Sequence, residues 1–186
     1  MKIFKYFFQS LIIYPLLILG RLIGLNNSRK LFSFLFKNFA SIFKSNKIIY
    51  ENLNTFSKKN PNIDKKEIIS NMWRNYGMTF IEYVFLDVFR KNNKHIEIDG
   101  VDILQNILEK DKPVIFISGH FANYELMSME ITKKKISLAA IYRPLNNFFL
   151  NPLMEYLRRK FVCKNQIKKG LSGVREAIEY IKNNHS

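Results

Sequence analysis

Cys163 is the only cysteine in the chain, so no internal disulfide forms and a reducing compartment is the natural setting. Seven glycines in 186 residues exclude collagen-like architectures. No spacing of His, Cys, Asp and Glu fits a metal site, and neither a P-loop nor a dinucleotide-binding glycine fingerprint occurs. No metal or cofactor is therefore expected. Acidic residues are scarce: 15 Asp and Glu stand against 30 Lys and Arg, a formal charge of +15. That excess requires an anionic partner, whether nucleic acid, an acidic protein or an anionic membrane surface. Aromatics are plentiful, with 17 Phe and 9 Tyr beside one Trp. Together with the positive charge they suit a membrane surface at least as well as nucleic acid. With 47% hydrophobic residues, the chain is neither disordered nor low-complexity, and its length fits one domain with at most a short appendage.

Residues 1–44 read as a membrane-associated, amphipathic helical region. Tyr6 to Gly20 carries no charge and is mostly Leu, Ile, Phe and Tyr. The run is shorter than the roughly 20 residues a spanning helix needs, and Pro15 is expected to break its middle. Lys2 and Lys5 precede it and Arg21, Arg29 and Lys30 follow, so flanking charge gives no orientation. A basic start before an apolar run also suits a signal peptide, but no small-x-small cleavage site precedes Arg21. An in-plane anchor is favoured over a spanning helix. Phe32, Phe36, Phe39 and Phe43 fall on one helix face, while Lys30, Lys37 and Lys44 form a separate basic stripe. Such a helix lies in the headgroup layer or, alternatively, packs on the domain.

Residues 45–186 read as an α/β domain, a largely parallel sheet flanked by helices. Asp64 and Glu67 make a capping-box pattern opening a long helix to about Arg90, with Ile68, Met72, Tyr76, Phe80 and Val84 near one stripe. Glu82 follows a very apolar stretch and is expected to be solvated or paired with Lys. His95 to Asp99 alternates like a strand, and Asp99-Gly100 turns. A short helix from Val101 to Lys110 ends at Asp111-Lys112-Pro113. Val114 to Ile117 is an unbroken apolar run, the pattern of a strand buried on both faces. Asn123 to Lys133 reads as helix and Ser137 to Tyr142 as strand. Pro152 opens a further helix, and Ser172 caps a last one over Gly173 to Asn183. The alternation of strands and helices is that of a parallel sheet. Two or three strands make a thin sheet, and the expectation is that a C-terminal part is absent from this chain.

The chemistry falls beyond the expected buried strand, in Gly119-His120-Phe121-Ala122-Asn123-Tyr124-Glu125. Functional groups gather past the carboxyl ends of parallel strands, and Gly119 permits a sharp turn there. Glu125, in the first turn of the next helix, can meet His120 across the strand-to-helix turn. A carboxylate on one imidazole nitrogen fixes the tautomer and stabilises the imidazolium. The other nitrogen can then take a proton from a hydroxyl. Ser118 is not in a nucleophile elbow, so the substrate hydroxyl is the nucleophile. The spacing by itself is weak, and its context carries the weight. Cys163 reads as a packing residue, and His95 and His185 as structural or surface residues.

The same block resembles the G-H-F-G-N-W-E motif of bacterial lipid A biosynthesis acyltransferases, within the wider glycerolipid acyltransferase group sharing H-x4-D/E. Ala122 stands for the usual glycine and Tyr124 for the usual tryptophan. Tyr142-Arg143-Pro144-Leu145-Asn146-Asn147 looks like the family's Y-R-P-x-x-N block, Arg74-Asn75-Tyr76-Gly77 like its long-helix signature, and Arg158-Arg159 like its basic helix. The family's downstream Asp-Gln block has no counterpart, as in a fragmentary member. The resemblance implies acyl transfer from acyl carrier protein or acyl-CoA to a hydroxyl of an anionic membrane glycolipid such as a lipid A precursor. It sets this at the cytoplasmic face of the bacterial inner membrane. It implies His120 as general base and Glu125 as its orienter, and it implies Arg143, Arg158 and Arg159 as phosphate contacts. The rival reading is a non-catalytic basic protein binding membranes or nucleic acid. No nucleic-acid-binding motif is present to support the latter.

Overall fold

A computed structural model describes residues 2–43, 47–92, 94–110 and 112–186. Lys44 of the basic stripe, Asp111 of the helix break and the Phe43 side chain lie outside the described residues. The chain divides into two compact units, Leu17–Glu82 and Met1–Leu16 with Tyr83–Ser186. The expected boundary at 44/45 falls inside the first of these.

The unit Leu17–Glu82 is helical. It takes in the end of α1 (Lys2–Ile23), then α2 (Leu25–Phe43), α3 (Lys47–Ser57) and α4 (Lys65–Glu82). Gly24, at φ +81°, takes the left-handed conformation that separates α1 from α2 at no Cβ cost. Asp64 caps α4 as expected: its Oδ1 accepts the Lys66 and Glu67 amides at 2.9 and 3.1 Å. The α2 helix packs on α4. Phe32 is fully buried and its ring meets Phe80, as does that of Phe36, so the start of the phenylalanine stripe is core, while Phe39 is exposed. A Cβ at Gly77 would strike the Phe32 backbone carbonyl, which is why the two helices can approach so closely. The buried stripe of α4 is Ile69, Trp73, Gly77 and Ile81, one residue out of phase with the expected one; Ile68 and Tyr76 are exposed. Glu82 is buried but paired, accepting Arg29 Nε at 2.7 Å. The partner is an arginine, whose fork suits a buried carboxylate better than an ammonium does.

Pro15 does not break α1, which runs unbroken through it from Lys2 to Ile23. Its 22 residues rise about 33 Å at 1.5 Å each, and the helix is long and apolar enough to cross a membrane. Ser10 and Leu17 are buried, while Ile3, Phe4, Phe8, Leu11, Ile12 and Leu22 are exposed.

In the other unit a 3-10 turn (Tyr83–Phe85) leads into α5 (Leu86–Lys91), so helix does reach the Arg90 region, but with an interruption. There follow α6 (Val101–Lys110), α7 (Glu125–Lys133), β1 (Ala139–Tyr142), α8 (Asn151–Phe161), β2 (Asn165–Lys168) and α9 (Leu171–Lys182). The largely parallel sheet is not formed. Among the described residues the sheet has two strands, β1 and β2, parallel and in register from Ala139 on Asn165 to Tyr142 on Lys168. His95 to Asp99 is irregular, and so is Val114 to Ile117. That run has the right sequence but no partner strand among the described residues, and a lone strand leaves its backbone groups unpaired. Pro152 sits in the first turn of α8 as expected, whereas α9 starts at Leu171 with no side-chain cap from Ser172.

Candidate active site

The parallel strands β1 and β2 end side by side at Tyr142 and Lys168. Arg143 and Lys169 follow immediately and both are exposed. His120, also exposed, comes off the segment before α7. These three residues line one cleft of about 420 Å³ together with Tyr124, Glu125, Tyr142, Arg158 and Gln166. The cleft is therefore at the carboxyl ends of the strands, where parallel sheets hold ligands. Lys169 and Gln166 come from β2 and its end, a polar segment without the apolar run by which a strand is recognised, and were missed for that reason.

Glu125 opens α7, where the helix N-terminus favours a carboxylate. It is buried, and its Oε1 accepts the Tyr83 hydroxyl at 2.7 Å and Arg158 Nε at 2.7 Å. A second guanidinium nitrogen of Arg158 lies 2.6 Å from the same oxygen and donates to the Tyr83 hydroxyl at 2.9 Å. The Arg158 guanidinium also lies over the Tyr83 and Tyr142 rings at 5.5 and 5.7 Å. Arg158 is thus buried and engaged within the protein while still lining the cleft. Burial disfavours its charge, but the facing Tyr83 and Glu125 outweigh that and hold its pKa above the ordinary value.

Burial and then the Glu125 charge push the Tyr83 phenol well above the usual tyrosine range. The folded protein keeps that proton where the unfolded chain releases it, near pH 10. Stability from Tyr83 is therefore full below about pH 10 and falls as pH rises above it. Tyr83→Phe should flatten that alkaline decline in a urea titration run at successive pH values.

His120 makes no hydrogen bond to Glu125. Its ring leans on Tyr124, with centroids 4.3 Å apart and planes at 46°. The two members of the expected dyad share the cleft without touching. Glu125 Oε2 receives no hydrogen bond from a described residue. Arg159 is exposed beside Glu155 at 3.3 Å and does not line the cleft. Cys163 is buried and its Sγ–H donates to the Leu138 carbonyl at 2.9 Å; burial raises its thiol pKa, which suits packing. His95 meets the Phe89 ring edge-on, and His185 contacts Ser137 and the Tyr180 ring.

The turn between His120 and Glu125 is strained. Ala122 sits at φ +44°, a left-handed conformation costing a residue with Cβ roughly 1–2 kcal/mol. Glycine adopts it freely at some entropic cost in the unfolded chain. Ala122→Gly should therefore stabilise the protein by about 0.5–1 kcal/mol, raising Tm by about 1–4 °C. A fall in Tm would show the strain to be absent.

In comparison with known proteins, the family model described as bacterial lipid A biosynthesis acyltransferase matches residues 1–186, the whole chain. Neither the curated proteins nor the solved structures gave a match.

Proposed function

The chain belongs to the bacterial lipid A biosynthesis acyltransferase family, and we propose that it moves a fatty acyl group from a thioester of acyl carrier protein or coenzyme A to a hydroxyl of an anionic membrane glycolipid. The observation that carries this reading is the cleft itself. It holds an exposed imidazole, a fixed carboxylate and two free-standing cations at the ends of parallel strands.

His120 takes the proton of the acceptor hydroxyl as its oxygen attacks the thioester carbonyl. When the carbon–sulfur bond breaks, the imidazolium returns that proton to the departing sulfur. Glu125 Oε2 is the oxygen left to meet the imidazolium once His120 turns from Tyr124. Tyr83 and Arg158 hold the carboxylate in place, so Arg158 acts through Glu125. Arg143 and Lys169 pair with acceptor phosphate, fixing the hydroxyl near His120. Vesicles carrying a lipid A precursor, supplied with acyl carrier protein or coenzyme A thioesters and read by mass spectrometry, test this. Acylated precursor from one donor supports the reading, and none from either overturns it.

The reaction is set at the cytoplasmic face of the bacterial inner membrane, where α1 attaches the protein. Its exposed Phe4, Phe8 and Leu11 bury in lipid while surplus Lys and Arg meet anionic headgroups. Because α2 packs on α4, deleting the whole N-terminal region would also strip core. Substitution of Phe4, Phe8 and Leu11 by Asp is the cleaner test. Co-sedimentation with anionic vesicles should be lost in that variant. In the parent, high salt should weaken it without abolishing it. A parent that stays in the supernatant with such vesicles would refute the anchor.

A further inference from the structure

The chain that leaves the cleft at Arg143 comes to lie against α1 at Asn147, within the same compact unit. Asn147 is buried and grips the helix. Its side-chain amide donates to the Tyr6 carbonyl at 3.0 Å, and its Oδ1 accepts the Ser10 hydroxyl at 3.2 Å. One turn on, the Tyr14 hydroxyl donates to the Phe149 carbonyl at 2.7 Å. Residues four apart share a helix face, so Tyr6, Ser10 and Tyr14 turn one side of α1 to this segment. Phe4, Phe8 and Leu11, on the far side, are exposed.

Aromatic rings run on from that exposed side to the segment. Phe8 meets Phe7 with centroids 5.9 Å apart, and Phe7 meets Phe149 at 5.6 Å. Phe149 meets Phe148 at 4.3 Å, and Phe148 meets Tyr6 at 6.2 Å. Phe148 and Phe7 nevertheless stay close to half exposed. Polar groups of the segment turn inward instead. Asn147 Oδ1 also accepts the Phe149 amide at 3.0 Å, and Asn151 Oδ1 accepts the Leu145 amide at 2.8 Å. The Asn147 carbonyl accepts the Leu150 and Asn151 amides at 3.1 and 3.0 Å. A loop in water can leave such groups to solvent, whereas one entering lipid must bond them internally.

The charges decide between a bilayer and a second copy of the chain. Lys2, Lys5 and Arg143 are exposed at the borders of these rings. Neither residues 2–16 nor residues 143–151 include an acidic residue. A second copy on this face would set cations against cations, while an anionic bilayer meets both the rings and the charges. We propose that residues 145–149 are a second lipid contact, seated beside α1 in an anionic bilayer through Phe148, which holds the Arg143 end of the cleft at the headgroups. This seating rests on attachment through α1 and not on the reaction in the cleft.

The only cysteine, Cys163, is buried, so Phe148→Cys offers one accessible thiol for a nitrobenzoxadiazole label. The parent, treated alike, supplies the background. On vesicles of phosphatidylethanolamine and phosphatidylglycerol, emission from this label should shift to the blue and be quenched by doxyl groups on the lipid chains. The same label on Glu176→Cys, exposed on α9, should do neither. Phe148→Ser should weaken vesicle binding at least about threefold, the share of a phenylalanine already half exposed in water. A bound protein whose Phe148 label stays unshifted and unquenched would overturn this seating and leave the α1 anchor standing. Equal quenching at Glu176 would overturn it too, as adsorption without a defined face. A parent that does not bind the vesicles would overturn the anchor and the seating together. A blue shift without vesicles, growing with protein concentration and mass, would overturn the bilayer in favour of a second copy.

Discussion

His120→Ala should cut acyl transfer by about 100-fold or more, the usual lower range for losing a general base. Thermal unfolding should stay within about 0.5 kcal/mol of the parent. The two halves of that expectation come from different observations. The loss of rate follows from His120 standing in the cleft with Arg143, Lys169 and Glu125. The unchanged stability follows from its exposure and from the single ring contact with Tyr124, since a side chain that supports nothing can be removed cheaply. His120→Gln, which keeps polarity and reach but cannot take a proton at neutral pH, should fare no better. Donor binding, measured separately with a non-transferable thioester analogue, should survive in both variants. A folded His120→Ala protein that transfers acyl groups at nearly the parental rate would end the mechanism.

Much of the site was legible because its signals are local. Gly119 to Glu125 lies on seven consecutive residues, and the turn, the helix start and the carboxylate at the helix N-terminus are all written there. Capping by Asp64 and the proline at the start of α8 are local in the same way. What failed was whatever depends on a distant partner. Val114 to Ile117 has the composition of a buried strand, yet pairing is a property of two segments, and no second strand among the described residues lies along it. Conversely β2 is half polar and becomes a strand because β1 is beside it and Gln166 donates its amide to the Cys163 carbonyl. The phase of α4 was misread for a related reason. Ile68, Tyr76 and Phe80 are apolar enough for a core, but Gly77, without a side chain, marks where α2 comes closest. No pattern rule scores a glycine as the centre of an interface. The partner of Glu125 also lay out of reach: Arg158 is distant in sequence, and nothing at either position marks the pair.

Arg158→Ala should be the most destabilising of the site substitutions, by about 3–5 kcal/mol, because it leaves Glu125 buried with its charge uncompensated. Against a typical domain stability of about 5–15 kcal/mol, that lowers Tm sharply and can prevent accumulation of folded protein. Glu125→Gln strands the opposite charge: Arg158 keeps the Tyr83 hydroxyl, whose oxygen can still accept, but loses the carboxylate it meets at 2.6 Å. That substitution should also cost stability, in addition to any effect on His120. The informative protein is the double variant, Glu125→Gln with Arg158→Met, which removes both charges and keeps most of the volume. Its loss should be smaller than the sum of the Glu125→Gln and Arg158→Met losses by at least about 1 kcal/mol, the coupling expected of groups in direct contact. Denaturant unfolding of the four proteins measures this directly. If Arg158 were instead a phosphate contact, its substitution would raise KM for the acceptor and leave Tm alone. Additive losses, or an Arg158→Met protein as stable as the parent, would show that the ion pair is not what holds Glu125 in the wall of the cleft.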